Sequence, residues 1–264
     1  MLLAIDVGNS STSLGVFERE TLRCEVRLTT RDRWTRDEVA IAVERALLLA
    51  GVRLDELDDA VLACVVPSAR APVVQALSFY AGLDALVVDA TLPTGMPILC
   101  EPAHELGADR VVAAVAAHDR YGARASDPGE RGVVVVDFGT ATSFDVVSPR
   151  PEYVGGVLAP GLSVSADGLF GRAGRLPRVD IERPARVIGT NTAAALQSGL
   201  VFGHVGLVEG ILRRIRSELA WPVRVVATGA IASDIARETS CIDIVDETLV
   251  LEGLRLVHAR NRGM

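Results

Sequence analysis

One local pattern occurs twice in this chain and constrains its fold more than any other feature. Residues 2–17 have the pattern of a buried apolar strand, a polar turn that opens with Asp6, and a second strand. Residues 132–147 repeat this order, with Asp137 in the place of Asp6. About half of the chain separates the two acidic turns. The repeat predicts two related lobes, each built on an acidic hairpin, with the hairpins facing each other across a cleft.

The residue types in the two turns are suited to binding phosphate together with a cation. Gly8 and Gly139 allow the backbone to approach a ligand closely. Asp6 and Asp137 would repel a bare phosphate, so they indicate a bridging Mg²⁺. Alternatively, each Asp caps its turn and the hydroxyls satisfy local backbone groups. The hydroxyl residues that could bond phosphate oxygens are Ser10, Ser11, Thr12, Thr140 and Thr142.

Composition excludes several classes of nucleotide chemistry. All 27 basic residues are arginine, and the sequence has no lysine. A P-loop, a Schiff base and the protein-kinase strand each need a lysine, so all three are excluded. The net charge of −7 argues against a nucleic-acid partner, which normally meets a basic patch. If the protein handles ATP, then metal ions, backbone amides and arginine must offset the phosphate charge.

The cysteines and the N-terminus indicate a cytoplasmic protein. The four cysteines have no metal-ligand spacing, so structural thiols in a reducing compartment are expected. No basic region precedes the first apolar residues, which argues against a signal peptide. No uninterrupted apolar run approaches the roughly 20 residues of a membrane span. The cysteines are Cys24, Cys64, Cys100 and Cys241.

Strands and helices alternate along the rest of the chain, which favours an α/β fold with helices covering sheets. Thr35 and Glu38 have the spacing of a capping box and predict the start of a helix. The turn-rich segment 126–130 suggests a seam, which divides the chain into lobes 1–123 and 124–264 with the last helix able to pack back on the first. Strands are predicted at 24–28, 59–66, 85–88, 153–159 and 223–227, and helices at 36–50, 69–82, from 105 or 107 to 122, at 163–171, from 191 (with glycines that allow a break into two pieces) and from about 247. Residues 172–190 are predicted to form an exposed loop.

Eight short motifs occur in the order and spacing found in type III pantothenate kinases, and the sequence resembles that family over nearly its whole length. They are Asp6-x-Gly8-Asn9-Ser10, Gly107-Ala108-Asp109-Arg110, Asp137-x-Gly139-Thr140-Ala141-Thr142, Gly155-Gly156-x-x-x-Pro160-Gly161, Leu176-Pro177, Gly189-x-Asn191-Thr192, Gln197-Ser198-Gly199 and Thr228-Gly229. The resemblance implies a two-lobed, duplicated fold of the actin-like and ribonuclease H-like type, with mixed sheets and flanking helices. It also implies ATP-dependent phosphorylation of pantothenate to 4′-phosphopantothenate, the first step of coenzyme A biosynthesis, by a homodimer with its pantothenate pocket near the interface.

The resemblance also implies roles for individual residues on the nucleotide side. The residues expected to bind ATP are Asp6, Val7, Gly8, Asn9, Ser10, Ser11, Thr12, Ser13 and Thr140. Asp6 is expected to hold Mg²⁺, directly or through water. Asp137 is expected to hold a monovalent cation, K⁺ or ammonium.

On the acceptor side, the resemblance implies that Asp109 is the general base that takes the proton of the pantothenate hydroxyl. A carboxylate can orient and accept that proton, and Arg110 can pair with the substrate carboxylate. A carboxylate in the first turn of a helix is, however, favoured in its ionised, weakly basic form, so positioning would matter more than basicity. Without the family, Asp109 could equally be an ordinary residue at a helix start. The implied substrate-binding residues are Gly107, Ala108, Asp109, Arg110, Thr192 and Cys100.

The departures from the family pattern are concentrated around the acceptor. A tyrosine and an Asn-Pro pair are usual where this chain has Cys100, Pro102 and Ala103, and an asparagine is usual at Ala113. The usual Thr-Gly-Gly near the adenosine ends with Ala230 here. Three interpretations follow: a pantothenate kinase with a reshaped pocket, which we favour; a kinase of another small hydroxy acid; or a noncatalytic regulator that binds nucleotide or a pantothenate-like ligand.

Overall fold

The structure is a computed structural model that describes residues 1–31, 33–89, 91–122, 131–174 and 176–262. The chain forms two compact units. The first is Met1–Arg120, Pro151–Val154 and Thr248–Met264, and the second is Tyr121–Arg150 and Gly155–Glu247. The predicted seam at 126–130 lies outside the described residues. The division at residue 123 stays a prediction.

A five-stranded mixed sheet forms the centre of the first unit, in the order β3-β2-β1-β4-β5. Strand β1 pairs antiparallel with β2 and parallel with β4. The elements are β1 (Leu2–Val7), β2 (Ser11–Glu18), β3 (Thr21–Thr29), α1 (Arg36–Leu49), β4 (Asp59–Cys64), α2 (Pro67–Ala76), β5 (Leu86–Val87) and α3 (Ala108–Tyr121).

The second sheet repeats this arrangement. Its elements are β6 (Gly132–Phe138), β7 (Ala141–Val147), β8 (Tyr153–Pro160), α4 (Leu162–Arg172), α5 (Thr192–Glu218), β9 (Val223–Gly229), α6 (Ala232–Ala236) and β10 (Ile244–Val245), followed by α7 (Leu249–Arg262). The strand order is β10-β9-β6-β7-β8, with β6 antiparallel to β7 and parallel to β9. When β1 is matched to β6, the two sheets have the same strand order, and both central strands have one antiparallel and one parallel neighbour. This confirms the predicted α/β class and the duplication.

Local sequence explains why several elements begin where they do. The Thr35 hydroxyl accepts from the Glu38 N–H at 3.3 Å, and the Glu38 carboxylate accepts from the Thr35 N–H at 2.9 Å. This reciprocal capping box starts α1 as predicted. Helix α2 has Pro67 in its first turn, where no backbone N–H is needed. It continues into a π-helical turn, Leu77–Ala81, and the chain leaves that turn at Gly82 with φ +67°.

The long helix α5 is continuous over 27 residues, so the break that its glycines allow does not occur. Gly199, Gly203 and Gly206 have no neighbouring atoms within reach of an added methyl group. The opposite face is buried at Leu200, Val205 and other apolar positions. Because tertiary packing of one face supplies most helical stability, glycines on the other face do not break the helix.

Helix α5 also meets the length and apolarity criteria of a membrane-spanning helix within the part of the chain that the structure describes. The core helix of a soluble protein meets the same criteria. One such helix is weak evidence of a membrane span. Helix α5 also has a face that is buried in the protein.

The terminal helix α7 belongs to the first unit. Its Gly253 lies so close to the Val112 carbonyl of α3 that a methyl group there would overlap the carbonyl oxygen. Near the end of α7, His258 Nε2 lies 2.8 Å from one Asp59 carboxylate oxygen, and Arg262 donates to the other at 2.7 Å. Backbone proximity and a shared carboxylate thus anchor α7 to α3 and β4.

Candidate functional site

The first hairpin is closed by its own turn and by the end of β3. Gly8 N–H donates to the Ser11 carbonyl at 3.0 Å, which closes the turn between β1 and β2. Thr30 N–H donates to the Ser10 carbonyl at 3.1 Å. The hydroxyls of Thr12 and Thr30 lie 2.9 Å apart and share a hydrogen bond, and Thr12 is buried. Residues next to this hairpin in the sheet therefore hold its position.

Asp6 lies near the end of β1, between the two strands that flank β1. It is in register with Ser13 of β2 and Ala63 of β4. Burial raises the pKa of the neighbouring Cys64 thiol, and the negative charge of Asp6 adds to this rise. The protonated thiol of Cys64 is therefore favoured beside the acidic turn.

The predicted acceptor segment begins α3 and lies at the same sheet edge as the first hairpin. A side chain at Gly107 would collide with the Asp109 carboxylate and would lie 3.6 Å from the Val65 side chain. Val65 N–H in turn donates to the Val7 carbonyl at 3.1 Å, at the end of β1. Within the first unit, the fold thus brings the predicted base near the predicted phosphate turn. Asp109 Oδ1 accepts from the Arg110 N–H at 2.8 Å, which fixes the orientation of the carboxylate.

Tyr153 lies beside the predicted acceptor residue Arg110, a contact that the sequence interpretation missed. The Arg110 guanidinium lies 6.0 Å from the centre of the Tyr153 ring, within the range of a cation–π contact. The Tyr153 carbonyl accepts from the Leu99 N–H at 2.8 Å, next to the half-buried Cys100. Tyr153 itself is buried. It opens a strand in a distant part of the sequence, and no local signal connects it with Arg110.

The second hairpin has the same register as the first but a shorter turn. Asp137 faces Ser143 and Phe138 faces Thr142 across β6 and β7. Only Gly139 and Thr140 lie between the strands, where the first hairpin has three residues. Gly139 N–H donates to the Ala141 carbonyl at 3.0 Å and closes the turn.

Two motif glycines pack directly against the second hairpin. A side chain at Gly161 would collide with the carbonyl oxygens of Gly139 and Thr140. Gly229 has φ +95°, and a methyl group there would lie 2.6 Å from Asp137 Oδ1. Glycine is thus required at both positions, which gives two of the sequence motifs a structural explanation.

Buried polar groups support the return strand β7. The Thr142 hydroxyl lies 3.1 Å from His204 Nε2 of α5, and both residues are buried. The His204 ring centre is 6.0 Å from that of Phe138. Burial lowers the pKa of His204, which favours the neutral ring. On the other face of β7, the Ser143 hydroxyl donates to the buried Asp145 carboxylate at 2.8 Å.

Thr192 is exposed and is the first residue of α5. The helix is capped by Asn191, whose side chain accepts from the Ala194 N–H at 2.9 Å. The loop before it has no described helix or strand and is tied to α5 by two further motif residues. The Ser198 hydroxyl donates to the Val187 carbonyl at 2.5 Å, and the Gln197 amide donates to the Asp180 carbonyl at 3.1 Å.

Across the described residues, no three His, Cys, Asp or Glu side chains converge to hold a metal ion. A cation at Asp6 or Asp137 would therefore share its coordination with hydroxyls, backbone carbonyls or ligand oxygens. Carboxylate and hydroxyl oxygens are hard ligands that fit Mg²⁺ and other hard cations. The donor set of each turn thus suits a cation that arrives with a phosphate ligand.

Comparisons with known proteins agree with this geometry. The profile of a family described as type III pantothenate kinase matches residues 2–214. A type III pantothenate kinase of Syntrophotalea carbinolica is 45% identical over 263 residues and covers 100% of both chains. One from Myxococcus xanthus is 46% identical over 261 residues and covers 99% of both chains.

Solved structures share the fold at low sequence identity. A polyphosphate/ATP-glucomannokinase from Arthrobacter aligns with a TM-score of 0.53 at 17% identity, covering 98% of this chain and 99% of its own. The ethanolamine utilization protein EutJ from Carboxydothermus hydrogenoformans aligns with a TM-score of 0.56 at 14% identity, covering 97% of this chain and 89% of its own. These likenesses show the two-lobed sugar-kinase and actin-like fold alone.

Proposed function

The chain belongs to the type III pantothenate kinase family, and from this premise we propose that it transfers the γ-phosphoryl group of ATP to the hydroxyl of pantothenate. The product is 4′-phosphopantothenate, an intermediate of coenzyme A biosynthesis. The observation that carries the proposal is full-length similarity at about 45% identity to kinases of this name, together with two intact acidic hairpins. The enzyme is a phosphotransferase with an alcohol as acceptor.

In the proposed reaction the first hairpin binds phosphate. Its Gly8 turn and the hydroxyls of Ser11 and Ser13 offer donors to phosphate oxygens. The predicted residues Val7 and Thr12 are buried where the two strands pair and would support the turn from behind. Asp6 would hold the Mg²⁺ that arrives with ATP, and that ion would neutralise charge on the transferring phosphoryl group. The Thr12–Thr30 bond keeps the turn in place while the nucleotide binds.

In the second hairpin, Thr140 is proposed to contact ATP and Asp137 to hold K⁺ or ammonium. The absence of a side chain at Gly229 leaves room beside the Asp137 carboxylate. The Ser143 side chain faces Asp137 across the strands and adds a hydroxyl to that environment. A fixed cation there would offset phosphate charge in a chain that has no lysine.

Asp109 is proposed to accept the proton of the pantothenate hydroxyl as the new O–P bond forms and the bond to ADP breaks. Its carboxylate is already oriented by the Arg110 N–H. Because phosphoryl transfer depends mainly on positioning, a weakly basic carboxylate is sufficient. The Arg110 guanidinium, placed beside Tyr153, can pair with the carboxylate of the substrate. Gly107, Ala108, Cys100 and Thr192 complete the proposed substrate-binding set.

A homodimer in the cytoplasm is part of the proposal. Val157 and Leu158 are exposed on β8, the outer strand of the second sheet. An exposed apolar edge strand favours contact with another chain. The four cysteines are free thiols, which suits a reducing compartment. No nucleic-acid or membrane partner is proposed.

The test is ATP consumption by the purified protein with Mg²⁺ and K⁺, with and without pantothenate, and with the product identified by mass. We expect phosphopantothenate in a 1:1 ratio to ADP. A panel of other small hydroxy acids tests the second candidate, which the half-buried Cys100 in place of an aromatic ring favours. Phosphorylation of another hydroxy acid instead of pantothenate would reassign the acceptor. Binding of ATP with no product from any acceptor would indicate a regulator.

A further inference from the structure

The two hairpins have equivalent buried threonines with different partners. Thr12 and Thr142 each occupy the second position of the return strand, and each faces the residue that follows the acidic one, Val7 or Phe138. Their exposed fractions are 1% and 0%. Each hydroxyl therefore needs a partner within the protein, because a buried hydroxyl without one costs about 1–3 kcal/mol.

The partner differs in kind and in distance along the chain. Thr12 bonds Thr30 at the end of the adjacent strand. Thr142 bonds His204, which comes 62 residues later and is 5% exposed in the middle of α5. The same His204 ring lies beside Phe138. One side chain of α5 thus contacts both members of the last residue pair before the second turn.

We propose that His204 is a positioning residue for the second hairpin. Through Thr142 and Phe138 it fixes the turn that carries Asp137 and Thr140, and so sets the affinity for ATP and for the monovalent cation without touching either. The ligands named here rest on the proposed function, whereas the contacts themselves do not.

The short turn makes this coupling direct. Only Ala141 separates Thr142 from Thr140, and Phe138 is the next residue after Asp137. If Phe138 and Thr142 are displaced, their neighbours Asp137 and Thr140 therefore move with them. The helix that carries His204 is long, and its buried residues extend from Ser198 to Ile215 on both sides of His204, so it supplies a rigid reference for the turn.

The experiment compares His204→Leu, His204→Gln and Thr142→Val in the full-length enzyme. For His204→Leu we expect the KM for ATP and the half-saturating K⁺ concentration to rise about tenfold, which corresponds to one lost buried hydrogen bond. The KM for pantothenate should stay within about twofold. His204→Gln retains an amide that can bond Thr142 and should recover most of the loss. Thr142→Val should match His204→Leu, and the double variant should add little, because the two residues act as one unit.

A matched control removes a different hydrogen bond made by α5. The Thr239 hydroxyl donates to Glu209 of α5 at 2.8 Å and accepts from the Cys241 N–H at 3.1 Å, and neither partner belongs to the second hairpin. Thr239→Val should lower the melting temperature as much as Thr142→Val does, with unchanged kinetic constants for ATP and K⁺. A fall in melting temperature alone for His204→Leu, with the same constants as wild type, would mean a purely structural role and would overturn the proposal.

Two further measurements keep the test decisive. If His204→Leu does not fold, the other two variants still test the proposal. Thr142→Val should raise the KM for ATP, and His204→Gln should stay close to wild type. If the wild-type protein does not phosphorylate pantothenate, the proposed function fails, and calorimetric titration with Mg²⁺-ATP still tests the positioning role. Equal nucleotide affinity for wild type and Thr142→Val in that titration would contradict it.

Discussion

The first and second hairpins have the same strand register but are held in different ways. In the first, the turn between Asp6 and Thr12 is supported by β3, the next strand of its own sheet. In the second, Gly161, Gly229 and His204 pack on the turn from three separate parts of the chain. The two hairpins thus share a backbone pattern and differ in the residues that support them. An acidic turn of this kind can therefore be held by its own sheet or by distant segments.

The largest expected effect comes from removing the proposed base, Asp109, which lies outside both hairpins. We expect Asp109→Asn to lower kcat by about 10²- to 10⁴-fold, the usual contribution of a positioned general base. Nucleotide affinity should survive, because neither hairpin is altered. The measurement is kcat alongside calorimetric ATP binding. An equal fall in ATP affinity and rate would show that Asp109 supports the nucleotide instead.

The two acidic residues should differ in the cation that they control. Asp137→Asn is expected to remove stimulation by K⁺ or ammonium, because the amide lacks the negative charge that holds the ion. Asp6→Asn should raise the Mg²⁺ concentration needed for activity while the residual rate still responds to K⁺. Rates across a K⁺ and a Mg²⁺ titration check both. An unchanged K⁺ response in Asp137→Asn would move the monovalent site elsewhere.

Gly229→Ala should damage the second hairpin alone. Its methyl group would lie 2.6 Å from Asp137 Oδ1, at a backbone φ of +95°. Overpacking and the left-handed conformation together should cost about 3 kcal/mol and weaken K⁺ stimulation. Gly82→Ala is the control, since Gly82 has φ +67° with open space around it. That variant should lose about 1 kcal/mol by urea unfolding and keep its K⁺ response.

The smallest effect concerns pH. Burial lowers the pKa of His204, so the unfolded chain binds a proton that the folded chain does not. The contribution of His204 to the free energy of unfolding is therefore fully present above its ordinary pKa of 6.5. It is lost as the pH falls toward the pKa of the folded state, by at most about 1.4 kcal/mol per pH unit. Urea unfolding between pH 7 and 5 should show a shallower decline for His204→Gln. Thr12→Val, at the hairpin without a histidine, should have the wild-type pH slope.

Local sequence predicted much of the fold. The capping box at Thr35, the strand before each acidic turn and the strand near residues 24–28 all follow from interactions within a few residues. The continuous α5 did not follow, because the packing of one face outweighs the glycines of the other. Strand β10, with two residues, and the five-residue α6 were also missed, since they are too short to produce a periodic signal.

The candidate site, like the fold, was predicted in part from local sequence. Local patterns were sufficient to predict the two acidic hairpins and the helix start near Gly107–Arg110, because strand periodicity, turn chemistry and capping act between near neighbours. Three contacts became visible in the folded chain alone: Tyr153 beside Arg110, Gly229 against Asp137, and His204 bonded to Thr142. Such contacts join residues far apart in the chain. They depend on how sheets and helices pack, which no local pattern in a single sequence records.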